Sequence, residues 1–143
     1  MKLQDSLPKM IVLAFVLGAV VIIISKMIET SPDAAPVRVS VPDLSPLAQK
    51  GENAFAANCA ACHGVNGSGT KRGPPLVHDI YNPGHHPAEA FFFAARNGVR
   101  QHHWRYGNMP AQPQVDEPDL GAIVQYVREL QVANGITFRP HNM

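Results

Sequence analysis

The chain is poor in charged residues, in excess charge of either sign and in cysteine. Its 143 residues carry 12 basic and 11 acidic side chains, a formal net charge of +1. This balance supplies no positive field for binding along a nucleic-acid backbone, so that class of function is excluded. Two cysteines cannot build a disulfide framework, and a bridge between Cys59 and Cys62 would close only a tiny, weakly stabilising loop. We therefore expect these cysteines to serve another purpose.

The sequence also lacks an apolar-polar alternation long enough to predict a sheet, and it contains no internal repeat. Three segments instead have apolar residues at helical spacing, and they begin at Ser45, near Pro87 and near Asp116. Three consecutive phenylalanines in the second segment are expected to lie in the core. Two long loops rich in glycine, proline and histidine, at 64–86 and 99–115, separate the helices. Because long irregular loops in a small domain usually wrap around something, we predict an all-α head that encloses a ligand.

A hydrophobic run stands near the N terminus, where every residue from 10 to 24 is apolar or glycine. As a helix this run covers about 22 Å, and its continuation to residue 28 approaches the roughly 30 Å of a bilayer core. We expect a single uncleaved transmembrane helix. A cleaved signal peptide is the alternative, but its best cleavage site has Asp33 three residues before the cut and Pro36 directly after it.

The charges beside this run predict its orientation. Lys2 and Lys9 precede it and acidic residues follow, so the positive-inside rule predicts an inner-membrane protein with its C-terminal part on the periplasmic side. The segment that follows the run contains three prolines and no helical period, which indicates a semi-rigid tether. The predicted organisation is an anchor at 1–29, a tether at 30–44, the head at 45–133 and a tail at 134–143.

The two cysteines belong to the sequence CAACH at 59–63. C-x-x-C-H is the pattern of c-type haem attachment: two thiols one helical turn apart can each add to a vinyl group of one porphyrin, and the adjacent imidazole then lies below the iron. A thioredoxin-like redox site needs a βαβ setting that is absent here, and a zinc site needs two further ligands. The motif therefore predicts one haem c, attached through Cys59 and Cys62, with His63 as an iron ligand.

Met109 is the candidate for the second axial ligand. It is the only one of five methionines that lies in the head, and it stands in the loop sequence GNMP. A thioether opposite an imidazole favours the ferrous state and closes the iron to substrate, which suits electron transfer better than oxygen or peroxide chemistry. The alternative is that Met109 merely fills a gap in the packing.

With these motifs, most of the head resembles the monohaem class I cytochromes c, in their membrane-attached bacterial form. The shared features, in chain order, are Gly51 and Phe55, CAACH, the run GPPL at 73–76, Met109 before a proline, and Tyr126. The resemblance implies three main helices and long loops wrapped around one covalent haem.

The resemblance also implies specific contacts. The first and last helices should cross at Gly51, with aromatic packing at the crossing. The carbonyl of Pro74 should accept the Nδ1 proton of His63 and orient that ligand. Leu76 should pack on the haem. Cys59, Cys62, His63, Pro74, Leu76 and Met109 are thus the candidate cofactor-binding residues, with His63 and Met109 on the metal.

A protein of this kind is expected to be a one-electron carrier and not an enzyme. Its donor would be a quinol-oxidising complex or a dehydrogenase, and its acceptor a terminal oxidase. One alternative is a fixed cytochrome subunit of a larger membrane oxidoreductase. A less favoured one is a haem enzyme or gas sensor, which would need an iron without Met109.

Four histidines in the loops match no motif. His85, His86, His102 and His103 are most simply interpreted as solvent-exposed. Hydrogen bonds to haem propionates, a copper or other metal site, and a replacement iron ligand stay open as alternatives. Trp104, beside them, has no assigned role.

Overall fold

The computed structural model describes residues 7–28 and 36–140. The chain divides into two compact units, Met1–Pro32 and Asp33–Met143. In the first unit, helix α1 runs over Leu7–Ile28, and its large apolar side chains between residues 10 and 24 are exposed. Among the residues described, no helix is both long and apolar enough to span a membrane. The transmembrane helix predicted within 1–29 is therefore not found there.

The second unit is helical. Its α-helices are α2 (Pro46–Asn58), α3 (Ala60–His63), α4 (Ala88–Asn97) and α5 (Glu117–Ala133), and two 3₁₀ turns cover Val65–Gly67 and Asp79–Tyr81. Over the described ranges, β-structure is limited to isolated bridges, one between Thr70 and Gly73 and one between Val99 and Met109. The prediction of an all-α domain with long loops is confirmed.

The helix ends follow local sequence signals. The Ser45 hydroxyl accepts a hydrogen bond from the Ala48 amide at 3.2 Å and caps α2. At the start of α5, the Asp116 carboxylate accepts one from the Asp119 amide at 2.8 Å. Helix α4 ends at Gly98, whose φ of +74° is strained for any residue with a Cβ. The predicted starts of the three main helices are therefore confirmed to within a residue or two.

The core lies where α2 crosses α5. Gly51 is buried at the crossing, and a Cβ at this position would overlap the carbonyl oxygen of Ala122. One turn later the Phe55 and Tyr126 rings pack with centroids 5.6 Å apart and planes tilted by 59°. Val127 and Leu130 continue the buried stripe of α5. Because the absence of a side chain at Gly51 lets the backbones touch, the predicted crossing is present.

Residues 36–44, predicted as part of the tether, pack against the helical core of the second unit. The Val37 amide donates to the Ser68 carbonyl at 2.8 Å, and Val37, Val39 and Leu44 contact the buried core. Ser40 and Asn134 exchange two hydrogen bonds of 2.9 and 2.8 Å. This segment therefore belongs to the folded unit. Residues 1–6, 29–35 and 141–143, within the predicted anchor, tether and tail, lie outside the described residues.

Candidate haem site

A cavity of about 490 Å³ opens in the second unit between α4 and the loops around it. Its volume falls within the roughly 300–1,000 Å³ that is usual for cofactor sites. Four of the residues predicted from the sequence line it: His63, Pro74, Leu76 and Met109. The two predicted attachment cysteines are not among its lining residues, and they lie in the helical turn that leads to His63.

The CAACH segment forms one tight helical turn. The Cys59 amide donates to the Phe55 carbonyl at 2.8 Å, and the Cys59 carbonyl accepts from the amides of Cys62 and His63 at 3.1 and 2.9 Å. The two thiols are therefore one turn apart, and neither is in a disulfide. Cys59 is half-buried against the core, and this burial raises the pKa of its thiol to about 11, whereas the Cys62 side chain is exposed.

His63 is oriented by a hydrogen bond to the backbone. Its Nδ1–H donates to the Pro74 carbonyl at 2.9 Å, the contact that the family resemblance implies. Burial lowers the pKa of the imidazole, so the ring is neutral near pH 7. With its proton on Nδ1, the ring keeps a lone pair on Nε2, which is the form a metal-ligating histidine requires.

The loop that carries Pro74 and Leu76 is held from two sides. The Leu76 amide donates to the Gly67 carbonyl at 2.8 Å. The Leu76 carbonyl accepts from the fully buried Gln131 side chain on α5, also at 2.8 Å. These bonds hold the backbone next to Pro74 in place, and Leu76 lines the cavity wall.

Met109 is held at another part of the cavity wall. Its backbone exchanges two hydrogen bonds with Val99, of 2.9 and 3.0 Å. Gly98 permits this pairing, because a Cβ there would lie 2.6 Å from the Met109 carbonyl oxygen. These bonds join the loop that carries Met109 to the end of α4. Met109 and His63 are far apart in the sequence, but both line the cavity.

These residues fit a covalently attached haem. Two free thiols stand one turn apart, a neutral imidazole is oriented by a carbonyl, and a thioether lines the same cavity. Imidazole and thioether are the donors that hold haem iron in cytochromes c. The other wall residues include Phe91, Phe93 and Val99, which supply an apolar surface for a porphyrin.

The three phenylalanines of α4 correct one expectation. They were predicted to be core residues. Phe91 is half-buried and packs against the buried core, Phe92 is half-buried, and Phe93 is exposed. Phe91 and Phe93 line the cavity. The helical period could not reveal this, because a cavity wall and a protein core demand the same apolar side chains.

Two polar residues of α5 that hold the cavity wall were not identified from the sequence. Arg128 donates to the Tyr81 carbonyl at 2.9 Å and to the His86 carbonyl, and its guanidinium lies 4.8 Å from the centre of the Phe91 ring. Gln131 donates to the carbonyls of Leu76 and Tyr81. Both residues hold the loop that forms one wall of the cavity. The available signal was a pair of polar side chains one turn apart beside a buried apolar stripe.

An aromatic pair was also missed. The Trp104 indole N–H donates to the Tyr81 hydroxyl at 3.0 Å, and both side chains line the cavity. Burial raises the pKa of Tyr81 to about 12, so its hydroxyl stays protonated at neutral pH. Trp104 also packs edge-on against His78, with ring centroids 5.0 Å apart. No sequence motif marks a contact between residues so distant in the chain.

The unassigned histidines are not simply spread over the surface. His85 and His86 are half-buried, and His102 and His103 are exposed, but the four rings lie together. The expectation that they are solvent-exposed is therefore right only for the second pair.

Comparisons with known proteins identify the family to which the chain belongs. The family model described as cytochrome c matches residues 48–131. One relative is a protein of Alkalihalophilus pseudofirmus named cytochrome c oxidase subunit 2, 34% identical over 95 residues. The match covers 60% of this chain and 26% of that protein, so the chain spans about a quarter of the relative's length. No solved structure matches significantly. The family match covers more than half of the sequence, and the chain therefore belongs to the cytochrome c family.

Proposed function

We propose that this protein is a membrane-attached electron carrier with one haem c, held through Cys59 and Cys62 and ligated by His63 and Met109. When bound, the haem supplies a single exchangeable electron by cycling between its ferrous and ferric states. The observation that carries the proposal is the oriented, neutral imidazole of His63 at the wall of a cavity that Met109 also lines. Family membership implies electron transfer through a covalent haem, and the ligand set is our assignment.

The residues of this chain have separate tasks. Cys59 and Cys62 attach the cofactor, so that it is retained through many cycles. The Pro74 carbonyl fixes the ring of His63 in one orientation and increases its basicity. The Met109 thioether favours the reduced state relative to a second histidine. Phe91 and Phe93 of α4 supply an apolar wall against which the porphyrin would pack.

The test is an optical and mass analysis of the full chain, purified from cells competent in cytochrome maturation. We expect the mass of the polypeptide plus one haem, a covalent haem spectrum in denaturant, and reversible one-electron titration. Cys59→Ala and Cys62→Ala should each lose one thioether bond, whereas Ser68→Ala, outside the motif, should not. A colourless protein would contradict the proposal.

Attachment to the inner membrane, with the second unit in the periplasm, is part of the proposal. It is supported by the apolar run at 10–24 and by the lysines before it. Protease added outside spheroplasts should remove the cytochrome domain, while a cytoplasmic marker protein stays intact. Full protection, or recovery of all the protein in the soluble fraction, would contradict this part alone.

A second candidate function is that of a fixed subunit in a larger oxidoreductase. The observation in its favour is the similarity to a protein named as an oxidase subunit. In either role the electron donor would be a quinol-oxidising complex or a dehydrogenase, and the acceptor a terminal oxidase. The two candidates differ in the lifetime of the contact with the partner.

A further inference from the structure

Three imidazoles from two separate loops lie together, and two of them, His86 and His103, line the cavity. His85, His86 and His103 each offer a ring nitrogen, and these three atoms lie within 4.8 Å of one another. The His85 and His103 Nε2 atoms are 3.3 Å apart, and the His86 ring centroid is 4.6 and 5.2 Å from the centroids of His85 and His103. No carboxylate or thiol belongs to this group.

The spacing suits a tetrahedral ion. Two nitrogens that are each about 2.05 Å from a tetrahedral metal lie about 3.3 Å from one another, which is the separation found between His85 and His103. A direct hydrogen bond between the two rings has a similar length, so this distance alone does not distinguish the two arrangements. The third imidazole favours the metal site, because its ring nitrogen lies within 4.8 Å of the other two and a pairwise hydrogen bond needs no third nitrogen nearby.

His86 is prepared as a ligand. Its Nδ1–H donates to the Ile80 carbonyl at 2.7 Å, which leaves the Nε2 lone pair available. Metal-ligating histidines usually make such a bond on the far side of the ring. Partial burial, followed by the neighbouring imidazoles, lowers the pKa of both His86 and His103, so both rings are neutral at physiological pH.

The backbone that carries the first two ligands is also fixed. The Asn82 carbonyl accepts hydrogen bonds from the amides of His85 and His86 at 3.0 and 2.8 Å. Asn82 is itself buried, and the Arg128 guanidinium donates to the His86 carbonyl. Two of the three proposed ligands therefore stand on a turn whose backbone is held by hydrogen bonds.

We propose that His85, His86 and His103 form a binding site for one divalent late transition-metal ion, of the copper and zinc class. Neutral imidazoles suit Cu²⁺ and Zn²⁺, whereas Mg²⁺ and Ca²⁺ prefer oxygen ligands, which this group lacks. By the usual order of affinities Cu²⁺ binds most tightly. Three protein ligands leave a fourth position for water.

Zn²⁺ is the probe of choice because it is redox-silent and leaves the oxidation state of a haem unchanged. The full chain, purified in detergent without a polyhistidine tag, is titrated with Zn²⁺ in a calorimeter at pH 7.5. We expect one ion per chain, no heat with Mg²⁺, and tighter binding of Cu²⁺ in a competition experiment. Absence of saturable Zn²⁺ binding up to millimolar concentration would overturn the proposal.

Two ligand variants and one control locate the ion. His103→Gln and His85→Gln should each weaken Zn²⁺ binding at least tenfold, whereas His102→Gln should keep the wild-type affinity. His102 is the matched control because its ring lies 4.2 Å from that of His103 yet is not one of the three ligands. Unchanged visible and circular-dichroism spectra establish folding. Equal loss in all three variants, or in none, would overturn the assignment.

Discussion

His63 and Met109 illustrate how much a single side chain depends on its backbone. The His63 ring is set by one hydrogen bond to Pro74. Met109 has no comparable partner for its sulfur among the described contacts, and it is placed by the paired backbone of Val99. The side chain of Met109 can therefore be changed with little effect on the loop that carries it.

Replacing Met109 with alanine or leucine should remove the sulfur ligand. We expect the optical signature of thioether ligation to disappear, the reduction potential to fall, and the reduced protein to bind carbon monoxide at neutral pH. Leucine is the matched control for volume, since it restores the apolar contact without restoring the sulfur. The measurements are visible spectroscopy and redox titration of each variant.

The wild-type protein should resist carbon monoxide under the same conditions. If it binds the gas as readily as the variants do, the sulfur is not on the iron, and the interpretation as a haem enzyme or sensor gains support. If leucine reproduces the wild-type spectrum, Met109 only fills space.

At the scale of helices, the contact between α2 and α5 positions the site. Cys59 directly follows α2, and Gln131 near the end of α5 holds the Leu76 loop. A shift of one helix against the other would therefore move both the CAACH turn at 59–63, here called the attachment turn, and the cavity wall.

Gly51→Ala should disturb this contact strongly. The new Cβ would overlap backbone atoms of Ala122, which cannot move aside as a flexible side chain can. We expect a loss of about 1–3 kcal/mol or more in the free energy of unfolding, measured by denaturant titration of the holoprotein.

Gly121→Ala is the matched control for Gly51→Ala. Gly121 lies on α5, and a Cβ there would come no closer than 3.9 Å to the Phe92 ring. Removal of a helical glycine should stabilise the protein by about 0.5–1 kcal/mol. Equal effects of the two substitutions would show that the crossing is looser than the structure indicates.

The start of α2 is tied to α5 by a pH-dependent contact. The Ser45 hydroxyl and amide donate to the Glu129 carboxylate at 2.6 and 2.9 Å, and Gln125 donates at 2.8 Å. The hydrogen bond from the Ser45 hydroxyl, followed by those from Gln125 and the Ser45 amide, lowers the pKa of Glu129. The Glu129 carboxylate therefore binds a proton more readily in the unfolded chain than in the folded one.

Stability from this contact should accordingly be complete above the ordinary glutamate pKa of about 4.3 and be lost as the pH falls through the lower folded value. Glu129→Gln should be less stable than wild type at pH 7, and the difference should shrink below about pH 4. Denaturant midpoints at several pH values test this. A difference independent of pH would mean that the carboxylate charge contributes nothing.

At the scale of the whole molecule, a free carrier and a fixed subunit should differ in the size of the particle that is extracted from the membrane. Because the cytochrome domain buries its own core and forms its own cavity, we expect a small monodisperse particle after mild detergent extraction of native membranes. Size-exclusion chromatography followed by haem staining makes the measurement. Co-migration with a larger oxidoreductase at high salt would favour the subunit.

Much of the domain follows from local sequence. Ser45 and Asp116 cap their helices because a short side chain there can satisfy free amide groups, whatever lies beyond. The CAACH turn is equally local, since hydrogen bonds from Cys62 and His63 to Cys59 close it. These features were predictable, and so was the haem chemistry that they support.

Other features arise only when distant segments meet. Three such features join residues that are separated by many positions. Residues 36–44 pack against the core. Arg128 and Gln131 hold the loop before α4, and His85 meets His103. Hydrophobic periodicity and helix propensity describe residues that are close in the sequence. They contain no information about which polar groups from distant segments will face one another. The sequence alone thus determined the helices and the attachment turn, whereas tertiary packing decided the cavity, its braced wall and the histidine cluster.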